Sequence, residues 1–122
     1  MRALVIDDSR AMRSILTGIL NDLEFEVEQA ADAEKAYEVL QSDHGFDLAL
    51  VDWNLPAMSG LDLVRLLRQK TELAGMRLMM VTTETELARV REALEAGADE
   101  YIMKPFDKEM LLEKLILLGI GM

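Results

Sequence analysis

The 122-residue chain contains no cysteine, only two prolines and few aromatic residues, and its acidic side chains outnumber its basic ones. Without cysteine, neither a disulfide framework nor a thiolate metal site is possible. The formal net charge of −10 argues against a nucleic-acid surface and against an anionic membrane, because both need clustered Lys and Arg. We therefore expect no binding to nucleic acids or membranes.

Long apolar segments are also missing. The longest apolar run, residues 115–122, is far shorter than the roughly 18 residues that a membrane-spanning helix needs. The N-terminal residues lack the apolar stretch of a secretory signal, and no repeat, low-complexity tract or linker divides the chain. We expect one domain over residues 1–122, located in the cytoplasm.

Short apolar runs of strand length alternate with stretches that have helical spacing. The predicted strands are residues 3–6, 25–28, 48–51, 78–81 and 100–103. The predicted helices are residues 12–23, 33–41, 61–69, 86–96 and 108–118, with Gly97 as the stop of the fourth. This β-α alternation predicts an α/β fold, in which a parallel sheet has helices on both faces.

The composition of the strands indicates their order in the sheet. Residues 3–6, 48–51 and 78–81 are apolar throughout, as central strands covered on both faces should be. Residues 25–28 alternate between apolar and acidic, which suits an edge strand with one side in water. We predict a doubly wound, flavodoxin-like sheet of five strands in the order 2-1-3-4-5 with five helices.

Polar residues follow four of the predicted strands. They are Asp7 and Asp8 after the first, Asp52 after the third, Thr82 and Thr83 after the fourth, and Lys104 after the fifth. In such sheets, ligands bind outside the carboxyl ends of the strands where the strand order reverses. Three crowded carboxylates repel one another unless they gather a cation, and Mg²⁺ favours oxygen ligands. A carboxylate beside Mg²⁺ and an ammonium group can attack phosphorus, which makes Asp52 a candidate nucleophile.

Each of these residues alone has a simpler explanation. Asp8 and Ser9 are favoured helix N-caps, Asp52 and Thr82 suit a turn and a cap, and Lys104 suits a solvated surface. Their common position at one edge of the sheet favours a site instead.

Seven short motifs give the chain a family resemblance. They are Ile-Asp-Asp-Ser at 6–9, residues 51–56, Met-Ser-Gly at 58–60, residues 81–84, Gly-Ala at 97–98, Tyr101, and Lys-Pro-Phe at 104–106. With them the chain resembles, almost end to end, the receiver domain of two-component response regulators, especially the stand-alone chemotaxis (CheY-like) type. The resemblance implies a signalling phosphoacceptor rather than a metabolic enzyme. Its donor would be a sensor histidine kinase or a phosphotransfer protein.

The resemblance also implies roles for individual residues. These are Asp52 as phosphoacceptor; Asp7, Asp8, Asp52 and Asn54 as Mg²⁺ site; Lys104 and Thr82 as contacts of the phosphoryl group; Thr82 and Tyr101 as switch; and Asn54 and Glu84 as modulators of hydrolysis rate. It implies a cis Lys104–Pro105 bond, and an effector surface formed by the fourth helix, fifth strand and fifth helix. The phosphorylated state is expected to be fairly short-lived.

Thr83 departs from the family, which more often has Ala, Gly or Ser at this position. Its branched side chain is expected to narrow access to Asp52, so Thr83→Ala should speed exchange with small phosphodonors.

Three other functions remain open. They are a haloacid-dehalogenase-like phosphatase, whose Asp-x-Asp motif differs from Asp7-Asp8-Ser9; a flavodoxin-like electron carrier; and the receiver portion of a longer regulator.

Overall fold

The structure is a computed structural model that describes residues 1–120, apart from the side chains of Glu84 and Thr85. Its strands are β1 (Arg2–Ile6), β2 (Glu26–Ala30), β3 (Leu48–Asp52), β4 (Arg77–Thr82) and β5 (Glu100–Met103). All neighbouring strands pair in parallel, in the order β2-β1-β3-β4-β5. The predicted fold and strand order are confirmed.

The α-helices are α1 (Arg10–Asp22), α2 (Ala33–Ser42), α3 (Gly60–Arg68), α4 (Val90–Ala96) and α5 (Lys108–Leu117). Two 3₁₀ helices are also present, at Thr71–Leu73 and Glu84–Arg89, and the second is called the 3₁₀ segment below. The predicted fourth helix, 86–96, is wrong in its first part, because α-helical geometry begins only at Val90. A capping box between Thr83 and Glu86 starts a tighter turn there.

The core lies on both faces of the sheet, because alternate strand residues point to opposite sides. One face packs against α2, α3 and α4, and its buried strand residues are Leu4, Ile6, Ala30, Ala49, Val51, Leu78 and Met80. The other packs against α1 and α5, and its strand residues are Ala3, Val5, Leu48, Leu50, Met79, Val81 and Ile102. The edge strand β2 keeps Glu26 and Glu28 exposed, as its alternation predicts.

Arg68, at the end of α3, joins the elements at the end of the sheet where β4 begins. Its guanidinium donates hydrogen bonds to the carbonyl oxygens of Gly97, Leu73 and Met76 at 2.9, 3.0 and 2.8 Å. It also forms an ion pair with Asp99 at 2.7 Å. Gly97 ends α4 at a φ of +121°, and a Cβ there would lie 2.4 Å from Arg68 Cγ. The predicted stop at Gly97 is confirmed, and α4 is anchored at this end.

The apolar tail continues α5 and partly covers the core. Leu115 is buried, Leu118 and Ile120 pack against the α1–α5 side, and Ile116 and Leu117 are exposed. The last two residues of the tail, 121–122, lie outside the described part of the chain. Within residues 1–120, no helix combines the length and apolar character needed to cross a membrane.

Candidate functional site

Three carboxylates meet at the carboxyl ends of β1 and β3. Asp52 is the last residue of β3, and Asp7 and Asp8 directly follow β1. One oxygen of each side chain lies within 4.8 Å of the others. Asp7 and Asp52 are buried, whereas Asp8 is exposed. Close oxygen ligands with one open side suit a hard divalent cation that keeps part of its water shell.

Lys104 brings one positive charge to this cluster. Its Nζ lies 3.5 Å from Asp7 Oδ2 and 3.5 Å from Asp52 Oδ1. The backbone N–H of Lys104 donates to the carbonyl oxygen of Thr82 at 2.7 Å, which fixes the lysine next to β4. The Lys104–Pro105 bond is cis, as the resemblance implied. One ammonium group balances only part of the charge of three carboxylates, so the cluster still favours a cation.

The environment changes the acidity of Asp52. Burial raises the pKa of its carboxyl group to about 6, and the nearby charge of Asp7 acts in the same direction. The charge of Lys104 and a hydrogen bond from the backbone of Asn54 oppose this rise in pKa. At neutral pH the carboxylate is therefore mostly ionised, yet poorly solvated, which suits a nucleophile.

Thr82 ends β4, beside the strand that carries Asp52. The register pairs Asp52 with Val81, so Thr82 is one residue further along the neighbouring strand. Its side chain is fully buried, and its Oγ1 is a buried polar atom for which the described residues offer no hydrogen-bond partner. A buried hydroxyl without a partner destabilises the folded protein. It would gain a partner if a modification or a ligand brought a hydrogen-bond acceptor to this position.

Gly60, which the motif at 58–60 contains, supports the backbone of Asp52. A Cβ at Gly60 would lie 2.2 Å from the carbonyl oxygen of Asp52, so α3 can approach the end of β3 only with glycine here. The Gly60 N–H donates to the carbonyl oxygen of Trp53 at 2.9 Å. The available signal was a glycine directly after Ser59, which caps α3.

The simpler explanations hold for some residues only. Ser9 does cap α1, accepting a hydrogen bond from the N–H of Met12 at 3.2 Å. The carboxylate of Asp7 accepts the N–H of Ser9 at 2.8 Å, so this acid also shapes the turn after β1. Thr82 is not a helix cap, because Thr83 occupies that position.

The remaining predicted residues lie on β5, in the loop after β3 and in the 3₁₀ segment. Tyr101 is half-buried on β5, with Lys114 Nζ 4.3 Å from the centre of its ring, and it pairs with Met80 in the sheet. Asn54 is exposed in the loop that follows β3. The side chain of Glu84 lies outside the described residues.

Glu86, which the family resemblance places on the predicted effector surface, also contacts two segments next to the carboxylates. Its carboxylate accepts the side-chain N–H of Asn54 at 3.2 Å, the backbone N–H of Thr83 at 3.2 Å and the Thr83 hydroxyl at 2.6 Å. It therefore connects the loop after Asp52 to the residue after Thr82. The Thr-x-x-Glu spacing of a capping box was the signal in the sequence.

Comparison with known proteins places this arrangement in a family. Residues 3–116 match the response regulator receiver domain. The chain is 40% identical to chemotaxis protein CheY1 of Helicobacter pylori over 98% of each chain. It is 38% identical to chemotaxis protein CheY of Pseudomonas aeruginosa, over 94% of this chain and 93% of the relative.

The fold agrees with solved structures of the same type. The chemotaxis response regulator CheY4 of Vibrio cholerae has a TM-score of 0.88 at 33% identity, covering 96% of this chain and 97% of that one. These matches support a receiver over a phosphatase or an electron carrier. The chain belongs to the response regulator receiver domain family and is a phosphoacceptor signalling switch of the CheY type.

Proposed function

We propose that Asp52 is the residue that accepts the phosphoryl group. The observation that carries this proposal is its position: a buried carboxylate that ends a central strand, between two other acids and Lys104. The side chain of Asp7 is buried and already accepts a hydrogen bond from the N–H of Ser9, whereas the side chain of Asp8 is exposed to solvent. Asp52 is thus the acid that the sheet fixes most firmly while leaving a path to solvent.

We assign Mg²⁺ to the acidic cluster. The carboxylates of Asp7, Asp8 and Asp52 and the backbone carbonyl of Asn54 would hold it, and all are hard oxygen donors. When bound, the ion supplies positive charge to the oxygens of the transferring group. The orphaned hydroxyl of Thr82 also fits a phosphoryl group, since it can donate to one of its oxygens.

The transfer forms one bond and breaks one. An Asp52 carboxylate oxygen attacks the phosphorus of a phosphohistidine on a sensor kinase or phosphotransfer protein, and the phosphorus–nitrogen bond breaks. The electron pair of that bond leaves with the imidazole, which takes up a proton. Lys104 pairs with a phosphoryl oxygen and disperses its charge. Hydrolysis of the acyl phosphate restores Asp52, at a rate that Asn54, Thr83 and Glu84 would modulate.

The signal would leave the site through Thr82 and Tyr101. Once Thr82 donates to the phosphoryl group, β4 and its neighbour β5 present a changed surface, and Tyr101 turns inward. A downstream protein would bind the face made by α4, β5 and α5. That face offers exposed apolar side chains on each element, at Leu94, Met103 and Met110.

The extent of the domain, its location in the cell and its biological process can be proposed as well. We propose that residues 1–122 form one receiver domain, because the family match and the core extend over nearly the whole range. A histidine kinase needs intracellular ATP, which supports a cytoplasmic location. The names of the relatives support a role in chemotaxis.

The test is intact mass after incubation with acetyl phosphate and Mg²⁺. The wild-type protein should gain one phosphoryl group, and Asp52→Asn should gain none. Chelation with EDTA should prevent the gain in the wild-type protein. Glu95→Gln, an exposed carboxylate on α4, serves as the control variant and should be modified like the wild type. Modification of Asp52→Asn to the wild-type level would contradict the assignment.

A further inference from the structure

We propose that Glu86 is a positioning residue that holds the 3₁₀ segment in the unphosphorylated arrangement and so opposes phosphorylation of Asp52. This inference rests on the proposed function of Asp52. It follows from three hydrogen bonds that the Glu86 carboxylate accepts among the described residues, and from what each donor adjoins.

The first two hydrogen bonds hold the residue next to Thr82. The Thr83 hydroxyl donates to Glu86 Oε2 at 2.6 Å, and the Thr83 backbone N–H lies 3.2 Å from Glu86 Oε1. Hydrogen bonds to a carboxylate are stronger than those between neutral groups. They fix the backbone immediately after β4, and therefore fix Thr82 with its hydroxyl buried and unsatisfied.

The third hydrogen bond crosses to the other side of the site. Asn54 Nδ2 donates to Glu86 Oε1 at 3.2 Å, which ties the 3₁₀ segment to the loop that follows Asp52. A second contact runs alongside it, since the guanidinium of Arg89 lies 5.3 Å from the centre of the Trp53 ring. Glu86 and Arg89 thus contact Asn54 and Trp53, the two residues directly after Asp52.

A phosphoryl group on Asp52 would work against this arrangement in two ways. Thr82 Oγ1 has no hydrogen-bond partner within the described part of the unmodified protein, and any movement of Thr82 toward a phosphoryl oxygen would also move the chain after β4, which Glu86 holds through Thr83. The phosphoryl group also adds negative charge at Asp52, two residues before the Asn54 that donates to the Glu86 carboxylate, and like charges repel. Glu86 therefore stabilises the unmodified state relative to the modified one, and by linkage it must lower the affinity of the site for a phosphoryl group.

The test measures beryllium fluoride binding, as an equilibrium probe of a phosphoryl group on Asp52, at fixed Mg²⁺. Glu86→Ala should bind the probe about fivefold more tightly than wild type, which is the lower end of usual coupling between sites. Glu86→Gln keeps one acceptor atom and loses the charge, so its gain should be smaller. Glu95→Gln, whose carboxylate pairs with Arg91 on α4, is the matched control and should bind like wild type.

The direction of the change in probe affinity distinguishes a positioning role of Glu86 from a purely structural one. If Glu86 only stabilised the fold, its removal would loosen the site, and probe affinity would fall together with the unfolding midpoint. Unchanged or weaker binding in both Glu86 variants would overturn the inference. Asp52→Asn separates the two proposals: loss of binding in this variant upholds the acceptor, whatever the Glu86 variants do. Retained binding would overturn the acceptor assignment itself.

Discussion

Asp52 and the 3₁₀ segment border the same site, but they are held by different kinds of contact. Asp52 ends a strand that is buried along its whole length, and the backbone of Gly60 packs against it. The 3₁₀ segment is held to the loop after β3 by the Glu86 carboxylate and by Arg89, whose side chain is about half exposed.

This difference separates a fixed part of the site from a movable part. Main-chain hydrogen bonds and close packing are lost only when the fold is lost, whereas a few side-chain hydrogen bonds near solvent are exchanged at small cost. Asp52, the proposed acceptor, is therefore expected to keep its geometry when it is phosphorylated. The 3₁₀ segment is the region that can report the change.

The largest expected effect comes from disturbing the fixed part. Gly60→Ala places a methyl group against the carbonyl carbon and oxygen of Asp52. We expect a loss of about 3 kcal/mol in the free energy of unfolding, as for other backbone clashes. Urea denaturation measures it. Gly18→Ala, in α1 where a Cβ meets no atom within 4 Å, is the control and should be neutral or stabilising. Equal stability of the two variants would show that α3 can move away from the end of β3 at little cost in free energy.

The second effect is a pH dependence of stability in the metal-free protein. Since the pKa of Asp52 rises from 3.8 to about 6 on folding, the folded state binds this proton more tightly than the unfolded chain. Stability should therefore fall as the pH rises through that window. Asp52→Asn should be more stable than wild type at pH 7 in EDTA by about 1 to 3 kcal/mol.

Thermal or urea unfolding at several pH values measures this difference. The gain of Asp52→Asn should shrink as the pH is lowered from 6 to 4, where the wild-type carboxyl group is protonated. Added Mg²⁺ should also reduce the gain, because it binds the three carboxylates of the wild type more tightly than the two that remain in the variant. A gain that is independent of pH would show that the cost of burying Asp52 is not electrostatic.

The smallest effect concerns the movable part, at Thr83. Thr83→Val keeps the branched shape but removes the hydroxyl that donates to Glu86, and Thr83→Ser keeps the hydroxyl but removes the methyl group. We expect Val to speed labelling by acetyl phosphate about threefold and Ser to leave it near the wild-type rate, since one hydrogen bond is lost. The rate of mass gain is the measurement. The reverse order would favour the steric effect expected from the sequence.

Periodicity and motifs predicted most of this molecule, because the sheet and the carboxylate cluster depend on local patterns. Apolar runs mark β1, β3 and β4, and the acids that end or follow them meet because parallel strands share an edge. The 3₁₀ segment was not predicted, because its apolar spacing at Leu87 and Val90 is equally compatible with an α-helix. Its geometry depends on hydrogen bonds that the Glu86 carboxylate accepts from Thr83 and from Asn54 in the loop after β3.

Gly60 shows a second limit of the same kind. Glycine is needed at this position because α3 approaches the backbone of Asp52 very closely. No local sequence pattern encodes that distance. The motif at 58–60 marked the position without giving the reason.

The anchor at Arg68 has a mechanical consequence for the opposite end of α4. That helix is clamped where it ends, by the bond from Arg68 to the Gly97 carbonyl and by close packing of the two residues. At its start it continues directly from the 3₁₀ segment. If the 3₁₀ segment shifts, the fixed end at Gly97 makes the whole helix tilt about that pivot. A lever of this kind turns a small displacement beside Asp52 into a rotation of the surface that α4 presents to solvent.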